Sequence, residues 1–252
     1  QYMRVLMLKA RQDLLQHPMN TRQAKLFTAL IKEHIKTAKP IGSSLLVEKS
    51  DIDVSPATVR NDLMALENAG LLTHPHTSAG RVPTEKGYQY YVANFLPTRE
   101  VAPAEATAIS QPESQSSGDP AKHLAKTLAE FTQEAIVIGF SQYDFYYTGL
   151  SHFFQKPEFG SVDILHNMSQ IIDHLDESIG KLFTMLKDDE IHILIGSANP
   201  VSARCTLIAT RFTGVNQQTN VIGILGPMRM DYEHNISRLN LIKEHLSLKK
   251  PA

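Results

Sequence analysis

Between Ser55 and Arg81 the chain carries polar side chains whose types and spacing suit the recognition of DNA. Projected at helical period, residues 55–68 place Val59, Leu63 and Leu66 on one side, with Ala57, Thr58, Asn61 and Met64 opposite and Arg60 on the flank. The chemistry on offer is hydrogen bonding rather than bond breaking. The Asn61 amide can bond adenine, Arg60 can reach guanine or a phosphate, and Thr58 can meet a thymine methyl or a phosphate oxygen. Ser55 followed by Pro56 is a capping residue ahead of the one helical position that welcomes proline, so the helix start also presents N–H groups to phosphate. Farther on, Arg81 stands beside a Ser78-Ala79-Gly80 tip from which it can enter a minor groove, with His76 and Thr77 on the backbone. Ser43, whose hydroxyl can cap an earlier helix, is included among the expected DNA contacts.

Other constellations point elsewhere and lead less far. His74 and His76 in an H-P-H arrangement invite a metal, but the sequence sets no carboxylate or cysteine close by to complete a ligand set, so they are read as wing residues. Asp188, Asp189 and Glu190 fall between a helix and a strand, where a solvated turn is expected. No Gly-rich phosphate loop, G-x-S-x-G elbow or H-E-x-x-H pair occurs, so neither an enzyme nor a cofactor is expected. Arg229, after the Gly226-Pro227 turn, is read as bracing the last helix at a sheet edge, and Arg204 and Arg211 as edge charges that discourage sheet association.

The elements that must position the DNA-facing groups follow from periodicity. A helix starts at Asn20 or Thr21, buries a stripe of Ala24, Phe27, Ile31 and Ile35, and stops before Pro40. A short helix after Ser43 carries Leu45, Leu46 and Val47, and the third runs from Ser55 to the stop at Gly70. A hairpin signal over 73–88 and a covering helix over 86–96 complete a winged helix-turn-helix. Residues 1–19 read as a short basic amphipathic arm ended by Pro18.

From Pro97 to Pro120 the chain is rich in Pro, Ser, Ala and Glu, a composition expected to form a disordered linker. Beyond it, residues 121–252 show a helix, the apolar run AIVIGFS, and a helix over 161–187 with Leu165, Met168, Ile172, Leu175, Ile179, Leu182 and Leu186 in phase. Three β-rich runs and a closing helix follow. The whole is α+β: a winged helix-turn-helix over 20–96 and a small second domain. With 252 residues, 42% hydrophobic and 20% charged, the chain can bury two cores. Residues 1–96 hold twelve Lys and Arg against eight Asp and Glu, and the remainder thirteen against eighteen, which weakly favours an anionic partner for the first half. Cys205 is the only cysteine and reads as a core filler. No stretch approaches the ~20 apolar residues of a membrane span and the start lacks an export pattern, so the cytoplasm is the expected compartment.

The run PIGSSLLVEKSDIDVSPATVRNDLMALENAGLLTHPHTSAGRVPTEKGYQYYV, residues 40–92, resembles the N-terminal domain of HrcA, the bacterial heat-inducible transcription repressor family. YYTGLSHFFQKPEF at 146–159 and ILGPMRMDY at 224–232 resemble its C-terminal domain. The resemblance implies a GAF-like sensing and dimerisation domain over 121–252. It also implies a homodimeric repressor of heat-shock chaperone operons, bound to an inverted-repeat operator of the CIRCE type and kept active by a GroEL-type chaperonin. The recognition helix would be Ser55 to Asn68 and the wing His74 to Pro83. One departure stands out: AIVIGFS runs almost directly into YDFYYTGLS, where the family carries an inserted pairing domain, so the domain is shortened. An alternative reading remains open, a protein-interaction or ligand-sensing module in which DNA binding is incidental.

Overall fold

A computed structural model describes residues 19–50, 52–75, 80–97, 99–110, 119–160, 175–214 and 217–248, in two compact units, Gln1–Leu96 and Pro97–Ala252. The expected basic arm lies almost wholly outside the described residues. The fold is α+β: a helix-turn-helix unit with a small wing, followed by a GAF-like unit built on one antiparallel sheet.

In the first unit, α1 spans Thr21–Thr37 and opens with a capping box. The Asn20 side chain accepts from the Gln23 N–H at 2.9 Å, and the Gln23 side chain accepts from the Asn20 N–H at 3.2 Å. Its buried residues are Leu26, Phe27, Leu30 and Ile31; Ala24 and Ile35, expected in that stripe, are only half-buried. The burial centre is rotated because Phe27 packs edge-on against Tyr90, with ring centroids 5.8 Å apart, which turns Leu26 and Leu30 inward. Helix α2, Ser43–Lys49, is capped by Gly42 rather than Ser43: Ser43 is already helical, and no side-chain cap forms. Helix α3 spans Pro56–Asn68.

Strands β1, Leu72–Thr73, and β2, Val82–Pro83, pair antiparallel with Leu72 opposite Pro83. An isolated bridge adds a third segment, since Ile41 donates to the Arg81 carbonyl at 2.9 Å and Arg81 donates back to Ile41 at 2.8 Å. A Cβ on Gly80 would stand 2.4 Å from the Ile41 carbonyl, so glycine permits that approach. Helix α4, Glu85–Phe95, is N-capped by Thr84 and buries Tyr88, Tyr90 and Tyr91 beneath the hairpin.

The second unit begins with a correction. Within the segment expected to be a disordered linker, Pro103–Ser110 forms a helix, α5. Ile109 is fully buried and Glu105 receives two hydrogen bonds from Arg238, at 2.9 and 2.7 Å. Those anchors order a stretch whose own composition could not. The Arg238 guanidinium holds the Glu105 carboxyl below its ordinary range. Then follow α6 Pro120–Thr132, β3 Ala135–Gly139, β4 Phe145–Thr148, α7 Leu150–Phe154, α8 Leu175–Met185, β5 His192–Ile195, β6 Cys205–Thr213, β7 Thr219–Pro227 and α9 Tyr232–Leu248.

The five strands run in the order β4-β3-β7-β6-β5, all neighbours antiparallel. Strand β4 was not expected: FYYT is half-buried and lacks the apolar alternation that marks the others. Strand β6 lies inside the sheet, but β5 pairs with it only over Thr206–Ala209, so Arg211 pairs with Val221 on one side alone and Arg204 precedes the strand. Of the expected helix over 161–187, residues 161–174 lie outside the described residues. The described part, α8, lies on its own sheet: a Cβ on Gly139 would come within 2.8 Å of Ile179 and 2.9 Å of Phe183. Cys205 is fully buried, and desolvation pushes its thiol up to about 12.

Charges also pair inside this unit. Glu134, just before β3, is buried and accepts from Lys156 Nζ at 3.0 Å, while its Oε2 atom has no hydrogen-bond partner among the described residues and lies against Gly226. Desolvation pushes the Glu134 carboxyl up to about 7, despite the opposing pull of Lys156 and Arg229. Beside it, Arg229 clasps Glu158 through two nitrogens, Nη2 to Oε2 at 3.1 Å and Nε to Oε1. Arg229 thus holds the 157–159 turn.

Candidate nucleic-acid interface

Helix α3 is built to hold one face still and leave the other bare. Val59, Leu63 and Leu66 are buried, as their spacing predicts. Ala57, Arg60, Asn61 and Met64 are exposed, Met64 by 53%, and Thr58 is half-buried. Ser55 caps the helix by accepting from the Thr58 N–H at 3.2 Å, and its hydroxyl lies 3.0 Å from that of Thr58. The Ala57 N–H, one residue into the helix after Pro56, has no partner among the described residues. With the dipole behind it, it faces the direction from which a phosphate would come.

Two ion-pair systems fix the helix from its sides. Arg22 of α1 forks onto Asp62, Nε to Oδ2 at 2.7 Å and Nη2 to Oδ1 at 3.2 Å, which further raises the Arg22 guanidinium above its ordinary range. Asp62 is buried among Val59, Leu63 and Leu66. The sequence contained a signal for it: positions 59, 62, 63 and 66 form one helical stripe, and a carboxylate inside an apolar stripe demands a cationic partner. At the other end Glu67 meets His74 Nδ1, and Arg81 Nε stands 2.8 Å from its Oε2 as an ion pair without hydrogen-bond alignment.

That last contact changes the reading of Arg81. Its side chain is 24% exposed and turned to Glu67, with its backbone fixed to Ile41, so the structure commits it to joining the hairpin base to α3 rather than to a free reach into a groove. His74 likewise has a carboxylate partner that its sequence neighbourhood did not reveal; among the described residues no group of three or more metal-ligating side chains forms. His76, Thr77 and Ser78 lie outside the described residues. Ser43, half-buried at the first turn of α2, makes no side-chain cap. Of the expected contacts, the structure therefore brings together Ser55, Ala57, Thr58, Arg60, Asn61 and Met64 on one helix, and sets Arg81 apart. Among the described residues no helix is long and apolar enough to cross a membrane.

Comparison with known proteins adds independent findings. Residues 92–236 match the family model described as HrcA protein C terminal domain, and residues 46–84 match a DeoR-like helix-turn-helix domain. The heat-inducible transcription repressor HrcA of Beutenbergia cavernae is 39% identical over 119 residues, 46% of this chain and 34% of that protein. The protein of the same name from Chloroflexus aggregans is 47% identical over 92 residues, 36% of this chain and 24% of its own length. The matched segments thus span about a third or less of those curated relatives. A crystal structure described as that of a hypothetical protein superposes with a TM-score of 0.72 at 19% identity, covering 91% of this chain and 98% of its own, which shows a shared fold.

Proposed function

The chain belongs to the HrcA family, and from that premise we propose that it is a sequence-specific DNA-binding transcriptional repressor of heat-shock chaperone operons. The observation that carries this reading is the bare outer face of α3, where Ala57, Arg60, Asn61 and Met64 are exposed on a helix anchored from within by Val59, Leu63, Leu66 and Asp62. Such a face, rigid and polar, fits a major groove. Asn61 and Arg60 read base edges, Met64 and Ala57 pack against the groove wall, and Ser55 and Thr58 with the helix start hold phosphate. Ser43 and the wing residues His76, Thr77 and Ser78 supply backbone contacts, while Arg81 acts by fixing the wing to Glu67.

The operator is an inverted repeat of the CIRCE type, read by a homodimer whose two α3 helices enter major grooves a whole number of helical turns apart. A GroEL-type chaperonin keeps the repressor active, and the cytoplasm is where both meet. The relatives named as heat-inducible repressors support this reading.

A gel-shift titration tests it. The full chain should bind an inverted-repeat duplex about a thousandfold or more tighter than a scrambled one, with affinity falling steeply as salt rises. Equal affinity for the two duplexes would overturn sequence-specific reading, and salt-independent binding would overturn a phosphate-contacting interface.

A further inference from the structure

The second unit carries an open pocket of about 290 Å³ where the start of α6, the loop between β3 and β4, and the ends of β6 and β7 converge. Taking ~30 Å³ as the share of one water in the liquid, that volume admits about ten non-hydrogen atoms. Its inner wall is apolar, with Phe212 and Leu246 buried. Polar groups interrupt the wall: Gln218 and Asn220 line it, and Asn220 is 7% exposed. A Cβ on Gly214 would stand 2.3 Å from Asn220 Nδ2, so glycine there leaves room for the amide. An amide at that place can both donate to and accept from a ligand's head group.

The mouth carries both signs of charge. Lys122 Nζ stands 5.9 Å from the Phe140 ring centre and 5.5 Å from that of Tyr146. The lining also holds Asp119, one oxygen of which caps α6 by accepting from the Ala121 N–H at 2.9 Å, and Asp144. A plain anion would face two carboxylates, and a plain cation would face Lys122. A head group with both charges satisfies the rim.

We propose that this cavity binds a small zwitterion with an apolar tail, of the chemical class of an apolar α-amino acid. The tail lies on Phe212 and Leu246, the carboxylate pairs with Lys122, the ammonium faces Asp119 and Asp144, and the Asn220 amide bonds the head group from inside. The proposal is independent of DNA binding and stands or falls by titration of the full chain.

Calorimetric titration with L-leucine and L-phenylalanine is the direct test, with 3-phenylpropionate, which lacks the ammonium, and phenethylamine, which lacks the carboxylate, as comparators. The amino acid should bind about tenfold or more tightly than either comparator. Lys122→Ala, at an exposed side chain, and Asn220→Ala should each weaken it by about tenfold, with circular dichroism unchanged. If Asn220→Ala fails to fold, Lys122→Ala decides alone. Absence of binding at about 10 mM, equal binding of a comparator, or unaltered affinity in Lys122→Ala would each overturn the proposal.

Discussion

In the first unit the ion pairs sit at the flanks of a single helix, where Arg22 on Asp62 and Arg81 with His74 on Glu67 hold α3 while its outer face stays clear. In the second unit Lys156 on Glu134 and Arg229 on Glu158 tie the 154–160 turn to the ends of β3 and β7, and Glu134 is the most deeply buried of these four carboxylates. The contrast teaches that the same side-chain chemistry does different work according to its surroundings. Beside α3 the carboxylates of Asp62 and Glu67 steer a helix, whereas desolvation at Glu134 makes its protonation part of stability.

The largest expected effect breaks the inner arrangement. Lys156→Met leaves the buried Glu134 without its cation and should destabilise the second unit by about 3–5 kcal/mol at pH 8. Urea denaturation would show the transition of that unit shifting, and a smaller loss at pH 5.5 is expected because the carboxyl can then protonate.

Next comes the pH dependence of the intact protein. Glu134 moves from an ordinary value of 4.5 to about 7 on folding, so its contribution is fully present below about pH 4.5 and is lost as pH rises through about 7. The conversion corresponds to about 3 kcal/mol. Glu134→Gln should remove that part of the pH slope; an unchanged slope in the variant would place its origin elsewhere.

On the outer face, Asn61→Ala or Arg60→Ala should cost about 1–3 kcal/mol in operator binding and relax base preference at one position, with the folded stability of the unit unchanged. Gel shifts against single-base operator variants distinguish this from a uniform loss on every duplex, the mark of a phosphate contact. The smallest effect sharpens the comparison at the helix start: Ser55→Ala removes the cap to Thr58 and should lower the stability of the first unit by about 1 kcal/mol, read by thermal melting.

How much of this was legible in the chain varies with distance. The inward set Val59, Leu63 and Leu66 and the outward set Ala57, Thr58, Asn61 and Met64 follow from the period of one helix, and the structure places them so except for Thr58, which is half-buried. The role of Arg81 did not follow, because Glu67 approaches it only through the turn of the hairpin. Asp62 could have been singled out from its stripe, but nothing near it names Arg22, forty positions away. Helix α5 was hidden in a Pro- and Ser-rich stretch because its order rests on Arg238, 133 positions on, and strand β4 because an edge strand need bury little. Local periodicity speaks for elements; pairing between them is settled by packing.

The paired hydrogen bonds between Ile41 and Arg81 have a consequence for spacing. Residues 38–42 act as a ruler between the end of α1 and the wing, because adding or removing one residue there would present the wrong side of the backbone to Arg81 and break both bonds at once. Homologues and engineered variants should therefore tolerate changes of side chain in that loop far more readily than changes of length, and a one-residue insertion there should misplace the hairpin without touching a single DNA-facing group.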